Sequence, residues 1–300
     1  MNKSIKISFG GRNVHTGNFL ANRLLPNELV HKVGPFVFLE HVYPTFQQRQ
    51  EPIACSGGNA HPHRGIVTLT YLLNGSLQHF DSAGHQGIVK EGGLHWMQAG
   101  KGVVHEEGPA PEFQREGGIL QVVQFWSTLP SLNKKDDPEY RALAPSDIPE
   151  IQLPDSAGVF RVLLGRSGEL VSPLKTFTNE FNFHLRLNPK STFSYSTKPG
   201  IEYAVFVPTE EILVNGEITG KSNLQVLANN QTTIQLYNPG IGHAHAFLFG
   251  GEPYTESIVA EGPFVMNSRE EITQAYGDFF EGRYGTIATE RDNTKIGKIN

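Results

Sequence analysis

Three hundred residues with 38% hydrophobic side chains, 32 glycines and 19 prolines suit one large or two ordinary domains rich in turns, and exclude a mainly helical chain. A net charge of −5 without a Lys/Arg block argues against direct nucleic-acid binding. No window approaches about 18 continuous apolar residues, so no membrane-spanning helix is expected. The opening MNKSIKISFGGRNVHTG carries no apolar core of signal-peptide length. A single cysteine, Cys55, excludes an internal disulfide and points to a reducing, cytoplasmic setting.

Residues 5–126 alternate short apolar runs with glycine. GPFVFLEHV (34–42), GIVTLTYLL (65–73), GSLQHF (75–80), QGIVKEGG (86–93), LHWMQAG (94–100) and GGILQVVQFW (117–126) read as strands of a β sandwich or barrel. Residues 127–151 are polar and proline-punctuated, without strand alternation, and read as a linker. Strand patterns resume in VFRVLLG (159–165), FNFHLRL (181–187), IEYAVFV (201–207), EILVNGEI (211–218), TTIQLY (232–237) and HAFLFGG (245–251). Two successive all-β halves imply a duplicated domain, divided as 1–130, a linker at 131–156, and 157–300.

Near the end, Ser268 and Glu271 have capping-box spacing. Ile272, Ala275, Tyr276, Phe279 and Phe280 follow at helical spacing, with Gly282 where a C-cap belongs. This short amphipathic helix is expected to dock its aromatic stripe as core packing.

Two short motifs carry chemistry. In an extended strand, residues i and i+2 share a face, so His61 and His63 of HPHRG aim together. So do His105 and Glu107 of AGKGVVHEEGP (99–109). Two neighbouring strands, each offering one such pair, can close three imidazoles and a carboxylate around one divalent ion. That set leaves one or two positions open in a five- or six-coordinate shell, the mark of a catalytic site. Pro62 lacks a backbone donor and belongs at a strand end or edge. Gly92-Gly93, Gly100 and Gly102 read as sharp turns at a barrel mouth.

Other candidates are weighed against these. Cys55 reads as a small buried residue, with a thiolate ligand as the alternative. Glu106 should face away from Glu107, into solvent. His79 is a candidate pocket-lining residue and His85, beside Gly84, reads as exposed. His95 and Trp96 should pack behind the ligands. His243 and His245 form another HxH with no partner pair downstream, and no metal is expected there. The charge of Lys134-Lys135 is cancelled at once by Asp136-Asp137.

HPHRGIVTLTYLLNGSLQHFDSAG, LHWMQAGKGVVHEE, GPFVMNSREEITQA, the GPFVFLE stretch and the DPEYRAL of the linker resemble the pirin family, a branch of the cupin superfamily. The resemblance runs from about residue 5 to 290 and is most specific in HPHRG and GxGxxHxE. It implies an all-β bicupin of two jelly-roll barrels, with one divalent metal in the first, Fe2+ as in most of the family or another divalent transition metal. The implied ligands are His61, His63, His105 and Glu107. Val67 stands where general cupins place a carboxylate ligand, leaving Glu107 to supply it, and residues 180–250 match the family pattern poorly. The implied activity resembles quercetin 2,3-dioxygenase. The metal would act as a Lewis acid on a flavonol-like hydroxyl, and Glu107 as the base that takes its proton. Dioxygen would then open the ring, giving a depside and carbon monoxide. The resemblance further implies a monomer acting on a small aromatic substrate. The alternative is an iron-binding, redox-responsive regulatory module with a protein partner.

Overall fold

The computed structural model describes residues 5–53, 57–228 and 232–287; Cys55 lies outside them. The runs singled out above form strands because their β-branched and aromatic side chains alternate between a packed and a less packed face. The chain divides into two compact units.

One unit, here the histidine-rich unit, comprises Thr16–Phe19, Val42–Pro145 and the described residues from Glu256 onward. Its first sheet orders the strands His61–His63, Val103–Pro109, Ser76–Asp81 and Gln86–Lys90. Opposite them, Glu139–Leu143, Leu94–Gln98, Ile66–Asn74 and Gly118–Thr128 run side by side, all antiparallel. Leu77 and Val89 from one layer pack on Leu72, Leu120 and Val122 from the other. Burying side chains of this size stabilises by roughly 1.5–3 kcal/mol each before conformational entropy is subtracted.

The other unit comprises residues up to His15, Leu20–His41 and Ser146–Thr255. Its seven-stranded sheet orders Ile5–Gly10, Asn223–Leu227, Glu202–Val207, Ala244–Gly251, Phe181–Leu187, Gly158–Leu164 and Glu150–Gln152. A four-stranded sheet of Thr192–Ser196, Thr233–Tyr237, Ile212–Val214 and Glu217–Thr219 completes it. Phe183, Leu185, Val205, Ile212, Val214, Ile234, Leu236 and Leu248 form its core.

These units are not the simple halves expected at 1–130 and 157–300. Ile5–Gly10 pairs with Asn223–Leu227, so the first strand joins the second unit. The C-terminal segment joins the histidine-rich unit. Val265 N donates to Arg64 O at 3.2 Å, and Arg64 forms a 2.6 Å ion pair with Asp278. The supposed linker is also structured, since Glu139–Leu143 pairs with Leu94–Gln98.

The run 211–218 is two strands, not one: Asn215-Gly216, both at positive φ, turn the chain so that Val214 opposes Glu217. The C-terminal helix spans Arg269–Phe280, with both hydrogen bonds of the Ser268/Glu271 capping box formed. Gly282 follows the helix end at φ +74°. Ile272 and Ala275 are buried, but Phe280, at the helix end, is 79% exposed and meets only Tyr276 and Phe279 of its own helix among the described aromatic rings. Asp278 takes up part of the packed face instead, tied to Arg64. Lys134 is likewise not a surface charge. It is 2% exposed and donates to Thr128 Oγ1 at 3.0 Å and Val265 O at 2.7 Å.

Candidate metal centre

His61–His63 is the edge strand of its sheet, where Pro62 costs no ladder bond. In its pairing with Val103–Pro109, His61 opposes His105 and His63 opposes Val103. On its other side Val103–Pro109 pairs with Ser76–Asp81, placing His105 opposite Asp81 and Glu107 opposite His79. Residues directly opposite in an antiparallel pair share a face. Two transverse rows, His61–His105–Asp81 and Glu107–His79, therefore share one face, buried except at the edge residue His61 and in part at Glu107.

Backbone carbonyls fix the first two imidazoles. His61 Nδ1 lies 3.1 Å from Asn59 O, and His63 Nδ1 lies 3.1 Å from Pro263 O. A carbonyl only accepts, so both Nδ1 atoms carry hydrogen, and in the neutral ring the lone pair lies on Nε2. His105 Nε2 is 3.0 Å from His61 Nε2, while its buried Nδ1 has no partner. Whichever nitrogen of His105 holds the hydrogen, one buried nitrogen goes unsatisfied. Such a group costs about 1–3 kcal/mol unless something else binds it. Burial and the neighbouring imidazoles push His63 down to about 3 and hold His105 well below the usual imidazole range. Both are thus neutral, the form that ligates metals.

Nitrogen or oxygen atoms of His61, His63 and His105 lie within 4.8 Å of one another, and those of His79, His105 and Glu107 do likewise. The three predicted imidazoles form one triad, and Glu107 falls in a second with His79 and His105; the two triads share His105. Imidazoles with one carboxylate suit a divalent first-row transition metal better than calcium or magnesium. The facing Nε2 atoms of His61 and His105, 3.0 Å apart, and the unpartnered Oε1 of Glu107 are what such an ion would satisfy. The cluster is capable of holding a metal ion.

Glu107 is held loosely. Its side chain is 12% exposed, and Thr70 Oγ1 and Gln124 Nε2 reach its Oε2 only at 3.4 and 3.5 Å. Burial works to raise its carboxyl, but nearby His79 and the other imidazoles outweigh this and hold it below the usual range. Gln124 bridges onward to Thr70 Oγ1 at 3.0 Å and accepts from Trp126 Nε1 at 3.0 Å. The Trp126 ring stands 4.8 Å from His63, adding a flat apolar wall.

One expectation changes, and two further histidines gain partners. Glu106 is 8% exposed rather than solvated, because its carboxylate accepts from Gly57 N at 2.8 Å. His79, only one candidate among several, is fully buried beside Glu107. His85 is tied to Asp81 at 2.9 Å. His95 and Trp96 are buried as expected, and His95 Nδ1 meets the Tyr140 hydroxyl at 2.6 Å. In the other unit, His245 pairs with His184 at 2.9 Å.

Sequence reading missed Tyr140, Thr70, Gln124 and Trp126. The spacing of His79-x-Asp81 and Gln124-x-Trp126, the same i, i+2 pattern as the two ligand pairs, was the available signal.

Comparison with known families settles the lineage. The pirin family model matches residues 18–127, and the pirin C-terminal cupin domain matches residues 182–285. The chain belongs to the pirin family. The second match covers the stretch expected to depart from the pirin pattern, so the C-terminal half is pirin-like as well. A Pseudomonas aeruginosa protein carrying a provisional quercetin 2,3-dioxygenase name is 35% identical over 262 residues, 86% of this chain and 89% of that one. Human pirin is 32% identical over 243 residues, 79% of this chain and 81% of its own. The crystal structure of quercetin 2,3-dioxygenase from Acinetobacter baumannii superposes with a TM-score of 0.89 at 28% identity, covering 96% of this chain and all of the other. These matches agree with a pirin bicupin.

Proposed function

We propose that this pirin-family chain holds one divalent transition metal, iron(II), at His61, His63, His105 and Glu107, and opens the ring of a flavonol-like substrate with dioxygen. One observation carries the proposal: three imidazoles converge, with His61 Nε2 and His105 Nε2 only 3.0 Å apart. The relatives bearing quercetin 2,3-dioxygenase names support the reaction class.

When bound, the ion supplies Lewis-acid polarisation of a substrate hydroxyl. The chain's own side chains do the rest. His61 and His63 keep their Nε2 lone pairs inward because Asn59 O and Pro263 O hold their Nδ1 hydrogens. Glu107, ionised across the neutral range, accepts the hydroxyl proton at a carboxylate oxygen. Thr70 and Gln124 steady that carboxylate from the opposing sheet. Trp126 offers its ring to a flat aromatic substrate and excludes water from His63. We take the protein to act as a monomer in the cytoplasm, a reducing compartment that its single cysteine suits.

The test is metal content by mass spectrometry beside oxygen uptake with quercetin. Near one metal per chain and quercetin-dependent uptake, both lost in His61→Ala, is the expected result. Metal without uptake would move the assignment to a redox-responsive regulatory module. A preparation with no metal affinity would overturn it.

A further inference from the structure

Behind the four proposed ligands lies a second polar cluster that the proposed chemistry does not use, made of His79, Asp81, His85, His95 and Tyr140. Asp81 is fully buried. Its Oδ1 accepts from Ala83 N and His85 N at 3.0 Å each, and its Oδ2 lies 2.9 Å from His85 Nδ1 and 3.2 Å from His79 Nε2. An ionised carboxylate only accepts, so His79 donates through Nε2, and its Nδ1 is the nitrogen that faces Glu107.

The ring of His79 has little freedom to do otherwise. It stacks on Tyr140 with centroids 4.1 Å apart and planes 6° from parallel. Tyr140 is in turn held by its 2.6 Å contact with His95. Gly87, opposite His79 in the next strand, leaves the space Tyr140 needs. A Cβ there would come within 2.4 Å of the Tyr140 hydroxyl. So fixed, His79 Nδ1 stands 3.6 Å from Glu107 Oε1, just beyond hydrogen-bond length. Neither atom has another partner, and the remaining contacts of Glu107 are at 3.4 and 3.5 Å.

We propose that His79, braced by Asp81 and Tyr140, is the positioning residue for Glu107, setting the rotamer in which that carboxylate reaches the ion. The inference rests on the metal reading above and deepens it. Residues that orient a metal ligand from behind commonly govern affinity by 10–100-fold, and here the brace is rigid while the ligand is loosely held.

The test is chelator competition for cobalt(II) on the full chain, with the visible ligand-field absorption of the cobalt form as a second readout. His79→Phe preserves the stack on Tyr140 and removes both nitrogens. Asp81→Asn keeps an oxygen for the amides of Ala83 and His85 but loses the acceptor that fixes His79. Each should weaken cobalt(II) binding by about 10–100-fold and shift the absorption. Loss of a buried partner should also lower the melting temperature of the metal-free form, so affinities are compared where every variant is folded. His243→Ala, an exposed site in the other unit, serves as the control. Should His79→Phe fail to fold, Asp81→Asn carries the test alone. A parent chain that binds cobalt(II), with both variants unchanged in affinity and spectrum, overturns this inference and leaves the metal reading standing. A parent chain that binds none overturns both.

Discussion

His105 Nε2 lies 3.0 Å from His61 Nε2, and the same imidazole belongs to both triads of the histidine-rich unit. His105 is therefore the residue whose loss breaks the cluster most completely. His105→Ala should weaken metal binding by more than the 10–100-fold typical of a supporting residue behind the ligands, and by more than His61→Ala. Chelator competition on the two variants checks this. Equal losses would mean that the second triad contributes nothing.

Gly65 separates the proposed ligands from the strand Ile66–Asn74, at φ +79°. A Cβ there would sit 2.1 Å from Val265 O and 2.9 Å from the Met266 sulfur. The carbonyl belongs to backbone that cannot swing aside as a side chain can, and the left-handed conformation adds its own strain for any other residue. Gly65→Ala should cost at least the roughly 1–3 kcal/mol of an overpacked site, seen as a lower urea midpoint. A variant as stable as the parent would show that the Phe264–Met266 strand can move away from Gly65.

The helix Arg269–Phe280 begins with a closed capping box. Glu271 N donates to Ser268 Oγ at 3.2 Å, and Ser268 N donates to Glu271 Oε2 at 3.2 Å. Ser268→Ala removes one half and should cost about 0.5–2 kcal/mol. Ser268→Asp should restore most of it, since aspartate caps comparably. Urea titration of the three proteins decides the point. A loss in Ser268→Ala that Ser268→Asp fails to recover would assign the serine a role other than capping.

The ligand pairs were legible because the information is local: a strand repeats every two residues, so HPH and HEE declare a shared face without tertiary knowledge. The fold class was legible for the same reason, in runs with glycine between them. Partners set by register were not. His79 meets Glu107 because Ser76–Asp81 and Val103–Pro109 align at that offset, which depends on turn lengths that no single run displays. Tyr140 was hidden by its segment, whose prolines and charges outweighed one short strand. Pro263, which fixes the tautomer of His63, is two hundred positions away along the chain. Phe280 failed in the other direction: helical spacing assigned it a face, but spacing does not say that the helix ends there.

Acid should destabilise the metal-free protein earlier than its carboxylates alone would require. Burial pushes His41, His95 and His245 down to about 4, and burial with the charge of His61 pushes His63 down to about 3, from an unperturbed 6.5. Below 6.5 the unfolded chain takes up protons at these positions while the folded one does not. The linkage relation then makes stability fall with pH. The stabilisation is fully present above about 6.5 and is lost as pH drops through the window toward 3, at up to about 1.4 kcal/mol per pH unit for each fully shifted histidine. His79 works against the trend. Burial lowers it, but Asp81 and Glu107 outweigh burial and hold it above the usual range, so its contribution is present below 6.5 and fades as pH rises. These four, with His105 and His184 also held well below the usual range, outnumber one, and the urea midpoint of the metal-free protein should fall between about pH 7 and pH 5. His95→Gln should flatten part of that slope by removing one of the four. A midpoint constant over this range would show that these imidazoles take up protons within the fold, and would remove with them the neutral lone pair required of His63.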